Sequence, residues 1–270
     1  MKLIKPEVID ITQTDYTLEG VYKQIELAGR TCYKSEDRIT ENSAEPFVKM
    51  LIDRGHGAML EHGTVYLKFQ DMLRGFSEFR EYSTMNPWNV WINYGDFAYV
   101  TTNFRVVLEK GLIEQVKNNV LQYDPKVHVP RLSFRIICSI GVARELCRHR
   151  VFSFAQESTR YCNYAKKEKF GGITFIEPYW YNDARPVMQN YFRNLLDDAS
   201  ETYFTMIEND FSAQQAREVL PLATKTEIVM TGTLPQWKDF IALRTDVAAH
   251  PDMRIIANKI KDLINGKEKG

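Results

Sequence analysis

At 270 residues, 44% hydrophobic and 26% charged, the chain has the make-up of a soluble globular protein, long enough to bury a sizeable core without disulfides or a structural metal. Lysine plus arginine equals aspartate plus glutamate at 35 each, a balance that weighs against a duplex nucleic-acid binder. The opening Met1-Lys2-Leu3-Ile4-Lys5-Pro6-Glu7 lacks the apolar core of a signal peptide, and no uncharged run approaches the roughly 20 residues of a membrane span. Cys32, Cys138, Cys147 and Cys162 form no Cys-x-x-Cys pair, so the expectation is a cytoplasmic protein with reduced thiols, no membrane partner and no nucleic-acid partner.

In chain order, residues 20–34 and 43–54 read as helices, the second with Pro46 in its first turn and Gly55 as a stop. Glu61 to Phe69 alternates Val65, Leu67 and Phe69 against polar neighbours, as a half-buried strand does. Residues 71–103 mix Phe76, Phe79, Tyr82, Trp88, Trp91 and Tyr94 with turn signals such as Asn86-Pro87 and Asn93-Tyr94-Gly95, a composition that favours core packing or subunit contact over a binding motif. A helix is expected over 112–122. Leu132 to Ile140 alternates cleanly and predicts a strand, stopped by Gly141 and followed by a short helix over Val142–His149. Helices are expected at 186–209 and 212–220, a strand at 225–231, and two more helices with Pro235 and Pro251 near their first turns. The fold class is mixed α/β (α+β): one domain over 1–270, a small mainly antiparallel sheet flanked by helices, with 71–130 a peripheral elaboration and 265–270 a frayed tail. No Gly-x-Gly-x-x-Gly follows a strand, which argues against a doubly wound dinucleotide fold.

The chemistry concentrates between Arg144 and Arg160, where four arginines and a histidine fall within 17 residues of a charge-balanced chain. Arg148, His149 and Arg150 are consecutive and fan around a helix axis; near a helix end they can reach different groups of one large anionic ligand. Arginine forks suit phosphate and carboxylate oxygens or imide carbonyls, and Ser153 and Ser158 add neutral donors and acceptors. The plainer reading of a bare basic cluster is a solvated turn with Glu145 and Glu157 as ion-pair partners.

The pattern Arg148-His149-Arg150, Ser153, Ser158, Arg160 resembles the signature of the flavin-dependent thymidylate synthases. Six specified positions match by chance in about one in 10⁸ windows. Three further segments agree in order. Arg54-Gly55-His56-Gly57-Ala58-Met59-Leu60-Glu61-His62 resembles the family's upstream histidine segment. Arg217-Glu218-Val219-Leu220-Pro221 resembles its Arg-x-x-Leu-Pro element, and Leu243-Arg244-Thr245-Asp246, with His250 after it, its Leu-Arg-x-Asp element.

The resemblance implies FAD at a subunit interface of a homotetramer, with Arg148, His149, Arg150, His56 and His250 as cofactor-binding residues. It implies that Gln156, Glu157, Ser158, Arg160, Arg217 and Arg244 bind dUMP, with Ser158, Arg244 and His56 as the catalytic candidates. Ser158 would hold the nucleotide rather than attack it. The implied reaction is the reductive methylation of dUMP to dTMP, with 5,10-methylenetetrahydrofolate as carbon donor and NADPH as reductant of the flavin. The chain departs from the pattern at Gln156 (Glu in many members), at Glu145 (Gln in some), and at Thr233-Leu234-Pro235-Gln236, which lacks the Asn and Arg some members place on FAD.

Three rival readings remain open. A cysteine-dependent thymidylate synthase would need an activated thiolate, for which Cys147 beside Arg148 is the candidate. A metal hydrolase could use His56, Glu61 and His62, although their spacing is not His-Glu-x-x-His. A nucleotide-binding regulator would keep the ligands without turnover.

Overall fold

The computed structural model describes residues 1–70, 89–114, 122–166 and 171–269. Two short strands, β1 (Lys2–Ile4) and β2 (Glu7–Asp10), precede α1 (Leu18–Tyr33), α2 (Ala44–Asp53) and the single turn α3 (Gly57–Leu60). Next come β3 (Thr64–Gln70), β4 (Val90–Tyr94), β5 (Phe97–Asn103) and α4 (Phe104–Glu109). The remainder is β6 (Arg131–Ser139), α5 (Ile140–Leu146), β7 (Ser153–Gln156), β8 (Thr174–Ile176), α6 (Pro186–Glu208), α7 (Ala213–Ala216), β9 (Lys225–Thr233), α8 (Leu234–Arg244) and α9 (Pro251–Lys269).

The mixed α/β expectation is met, with the described strands distributed over three sheets. The largest is antiparallel, in the order β2-β6-β9-β7; a second antiparallel sheet runs β3-β5-β4; β1 pairs in parallel with β8. In the largest sheet the alternation of β6 turns Leu132, Phe134, Ile136 and Cys138 to one face. They pack there with Ile228 and Met230 of β9, Trp237 and Phe240 of α8, and Met253, Ile256, Ala257 and Ile260 of α9. Trp237 has no exposed surface, and its indole N–H donates to the Leu132 carbonyl at 3.1 Å, so its polar edge is satisfied inside the core. Truncating Phe240, equally buried, costs about 3–5 kcal/mol. On the opposite face Ala155 of β7 and Val229 of β9 meet Ala28 of α1. The β7–β9 pair therefore lies between α1 and the C-terminal helices.

Local chemistry explains the element ends. Thr17 caps α1 by accepting from the Gly20 N–H at 3.2 Å, and Lys34 closes that helix in the left-handed region at φ 48°. Gly55, at φ 68°, stops α2 as its sequence predicts. Thr233 and Gln236 form a capping box at the start of α8, a structural task for two residues of the segment that departs from the family pattern.

Several boundaries shift. The strand expected from Glu61 starts at Thr64, which leaves Glu61 and His62 in the preceding turn. The helix expected to reach His149 ends at Leu146, so Arg148, His149 and Arg150 sit on the turn that enters β7. The 212–220 helix divides into α7 and a 3-10 turn at Arg217–Val219. The last helix continues through Lys269, past the expected frayed end at 265. Phe76, Phe79, Tyr82 and Trp88, and most of the helix expected at 112–122, lie outside the described residues.

Candidate active site

β7 delivers its C-terminal end into a tightly held loop. The Gln156 amide donates to Thr226 Oγ1 at 3.3 Å, the Glu157 N–H donates to the Glu227 carbonyl at 2.8 Å, and the Ser158 N–H donates to the Cys32 carbonyl at 3.0 Å. The loop is thus pinned between β9 and the end of α1. It walls a cavity of about 410 Å³ that brings together Tyr33, Gln156, Ser158, Arg160, Tyr161 and Arg217. Arg217 donates to Thr159 Oγ1 at 3.3 Å and faces Glu218 at 3.4 Å. The Arg160 guanidinium lies 5.3 Å from the Tyr161 ring centroid, and Tyr161 faces Tyr33 at 5.8 Å. Two arginines, a hydroxyl, an amide and two aromatic rings suit an anionic ligand that carries a flat heterocycle. The hydroxyl of Tyr33 lies 3.2 Å from His56 Nδ1, which ties His56 to the rim of this cavity.

Glu157 borders the same cavity, but its carboxylate is engaged within the fold. One oxygen meets Lys225 Nζ at 2.9 Å and the other accepts from the Tyr164 hydroxyl at 3.4 Å. Lys225 also contacts Glu227 at 2.5 Å, and Glu227 contacts Lys34, also at 2.5 Å. Burial opposes the charge of Lys225, yet the two carboxylates outweigh it and raise its pKa. Burial likewise works against the charge of Glu227, and Lys225 and Lys34 outweigh it to lower the pKa of that carboxyl.

A second group assembles beyond the other end of β7. Arg244, the last residue of α8, donates from Nε to His149 Nε2 at 2.8 Å and from Nη1 to Glu145 at 3.2 Å. Burial, with the Arg244 charge added to it, pushes the His149 imidazole down to about 4. The ring stands edge-on to Phe240 at 4.8 Å. Arg148 and Arg150 are exposed on the same turn, and neither guanidinium has a partner among the described residues. His250 stands apart from this group, 4.0 Å from Asp252 and 6.2 Å from the Tyr179 ring. Three residue steps separate Ser153 from Gln156, so the ends of β7 lie about 10 Å apart.

The family model described as thymidylate synthase complementing protein matches residues 101–267, a stretch that holds both groups except Tyr33 and His56. The chain belongs to that family. It is 23% identical over 262 residues to the flavin-dependent thymidylate synthase of Corynebacterium diphtheriae, which covers 90% of this chain and 74% of that protein. Against the flavin-dependent thymidylate synthase of a Mycobacterium species (strain KMS) the identity is 24% over 241 residues, covering 88% and 74%. Against that of Pyrococcus furiosus it is 27% over 177 residues, covering 64% and 70%.

Within this family member, Gln156, Glu157, Ser158, Arg160 and Arg217 line one cavity, while Arg148, His149, Arg150 and Arg244 gather at the far end of β7. Arg244 pairs with Glu145, and the carboxylate of Asp246, its near neighbour in sequence, accepts from the Ala248 N–H at 2.8 Å. The three metal-ligand candidates face separate partners: His56 meets Tyr33, Glu61 meets Arg105 at 2.7 Å, and buried His62 meets Thr231 Oγ1 at 2.8 Å. The Cys147 thiol is raised by burial, the opposite of an activated thiolate. Tyr33 and Lys225 were not singled out from the sequence. Tyr33 sits at the end of an amphipathic helix with no motif around it, and Lys225 shows its role only once β9 is paired. The closely spaced Lys225 and Glu227 at the start of a mostly buried strand were the available signal.

Proposed function

We propose that this chain catalyses the FAD-dependent reductive methylation of dUMP to dTMP, with 5,10-methylenetetrahydrofolate as carbon donor and NADPH as reductant. The observation that carries the reading is the cavity at the end of β7, where Ser158, Gln156, Arg160 and Arg217 converge in a member of this family. A nucleotide monophosphate fits that donor set: the two guanidiniums suit the phosphate, and the Gln156 amide and Ser158 hydroxyl suit polar edges of a pyrimidine. Gln156 offers both a donor and an acceptor to such an edge, and it cannot exchange a proton as a glutamate could.

The residues also fit FAD. Arg148 and Arg150, whose guanidiniums have no partner among the described residues, suit a pyrophosphate, and the half-buried His149 ring backed by Phe240 offers a flat edge. These three, with His56 and His250, are the proposed flavin-binding residues. When bound, the reduced flavin supplies the hydride; the protein binds, orients and screens from water. Arg244 uses N–H groups on His149 and Glu145, and its remaining ones are free to reach the nucleotide.

The two groups lie beyond opposite ends of one strand, and we infer that each joins the complementary group of another copy in a homotetramer. The exposed apolar residues Val187, Met188, Tyr191 and Leu195 of α6 support association. Among the described residues no helix is long and apolar enough to cross a membrane, and the proposed setting is the cytoplasm. We treat residues 1–270 as one domain. Incubation with excess FAD, removal of unbound flavin and a visible spectrum test the reading. Retained flavin bands that shift on adding dUMP support it; folded protein that retains no flavin overturns it.

A further inference from the structure

We propose that Arg244, itself braced by Glu145, holds His149 as a neutral imidazole with its proton on Nδ1, so that His149 presents a fixed single donor to the flavin side. The geometry carries this. Arginine N–H groups only donate, so the 2.8 Å contact from Arg244 Nε makes His149 Nε2 the acceptor, and an accepting ring nitrogen carries no proton. A neutral imidazole has one proton, which therefore resides on Nδ1. No partner holds that nitrogen among the described residues, so the proton is available to a ligand.

Two further features make the state rigid. The Glu145 carboxylate fixes Arg244 through Nη1 at 3.2 Å, and the Glu145 carbonyl lies 3.5 Å from Nη2, so the guanidinium plane is set from α5 while its stem comes from α8. The imidazole stands edge-on to Phe240 at 4.8 Å and to Phe152 at 6.4 Å, two rings that back it from one side. The charged groups that face the ring, directly or through its partner, are Arg244 and Glu145. Burial and the adjacent guanidinium both disfavour the imidazolium, which agrees with a ring that stays neutral down to about pH 4.

Arg244 and Glu145 are positioning residues in this role. Glu145 also gains a purpose that a glutamine serves less well, since it neutralises Arg244 as it orients it. The ligand that His149 serves rests on the proposed function above; the tautomer does not.

The test is carbon NMR on protein labelled at histidine ring carbons, whose shifts report tautomer and charge. The chain has five histidines, and His149→Gln assigns the signal. The wild-type protein is expected to show the Nδ1-protonated form, unchanged between about pH 5 and pH 8. Arg244→Met removes the donor and shifts the tautomer ratio toward Nε2–H by about tenfold. Its titration also rises toward the ordinary histidine value, stopping short of it because the ring stays half-buried. Arg244→Lys restores a donor and keeps the wild-type tautomer. An Nε2-protonated ring in the wild type, a ring that charges near pH 6.5, or an unchanged signal in Arg244→Met overturns the proposal. Adding FAD separates this from the functional reading: the expected tautomer without flavin binding sinks only the latter, and flavin binding with the wrong tautomer sinks only the former.

Discussion

Replacing Lys225 with Met probes the ion cluster beneath the cavity. The ammonium lies between Glu157, whose side chain is 1% exposed, and Glu227, at 10%. Removing one partner of a buried pair costs about 3–5 kcal/mol, because the other charge is left without compensation. Lys225 itself keeps 15% exposure and Glu227 retains Lys34, so the lower end applies, about 3 kcal/mol. At roughly 2–4 °C per kcal/mol for a chain of this size, Tm falls by about 6–12 °C. Adding Glu157→Gln in the Lys225→Met background removes the stranded charge and keeps an acceptor for Tyr164. The double variant is therefore expected to be more stable than Lys225→Met alone. Thermal unfolding at fixed protein concentration, with denaturant titration beside it, reads both effects. A Lys225→Met protein within about 0.5 kcal/mol of wild type, or strictly additive losses in the double variant, refutes the argument.

The same cluster makes stability pH-dependent. The Glu227 carboxyl is lowered in the fold, so its stabilisation is present above its unfolded value of 4.5 and is lost as pH falls through the lowered one. Lys34→Met should shrink that acid-side loss; an unchanged profile would remove Lys34 from the account. Gly232→Ala places a methyl 2.4 Å from the Phe152 ring, so the ring beside Trp237 must move, at a cost of about 1–3 kcal/mol seen as lowered Tm. If Arg217 binds the nucleotide as proposed, Arg217→Ala weakens dUMP binding by about 10–100-fold in equilibrium dialysis. FAD retention should be unchanged in that protein, and unaltered dUMP affinity would place Arg217 outside the site.

The parts of the fold that depend on local pattern were readable in the sequence. The alternation from Leu132 to Cys138, the proline-led helices at Pro235 and Pro251, and the Gly55 stop all lie where periodicity and turn chemistry put them. β7 was not readable, because Ser153 to Gln156 is four residues long and exists through its pairing with β9. β1 and β8 are three residues each and exist through pairing with one another and the bridge from Phe175 to Thr224, partners far apart in the chain. The β4–β5 hairpin left one trace, the Asn93-Tyr94-Gly95 turn with Gly95 at φ 60°. In the candidate site, the resemblance pointed to Gln156, Ser158 and Arg160, which line one cavity, yet it could not say that the neighbouring Glu157 points its carboxylate inward to Lys225. Side-chain direction along a loop depends on strands brought from far along the chain. The same holds for Arg244, whose partner Glu145 is 99 residues away while Asp246 is two.

The most direct measurement is product formation: purified protein with dUMP, FAD, NADPH and 5,10-methylenetetrahydrofolate, with dTMP quantified over time and each component omitted in turn. The account predicts dTMP that requires all four and is lost in Arg160→Ala. Folded, flavin-loaded protein that binds dUMP but yields no dTMP would contradict it.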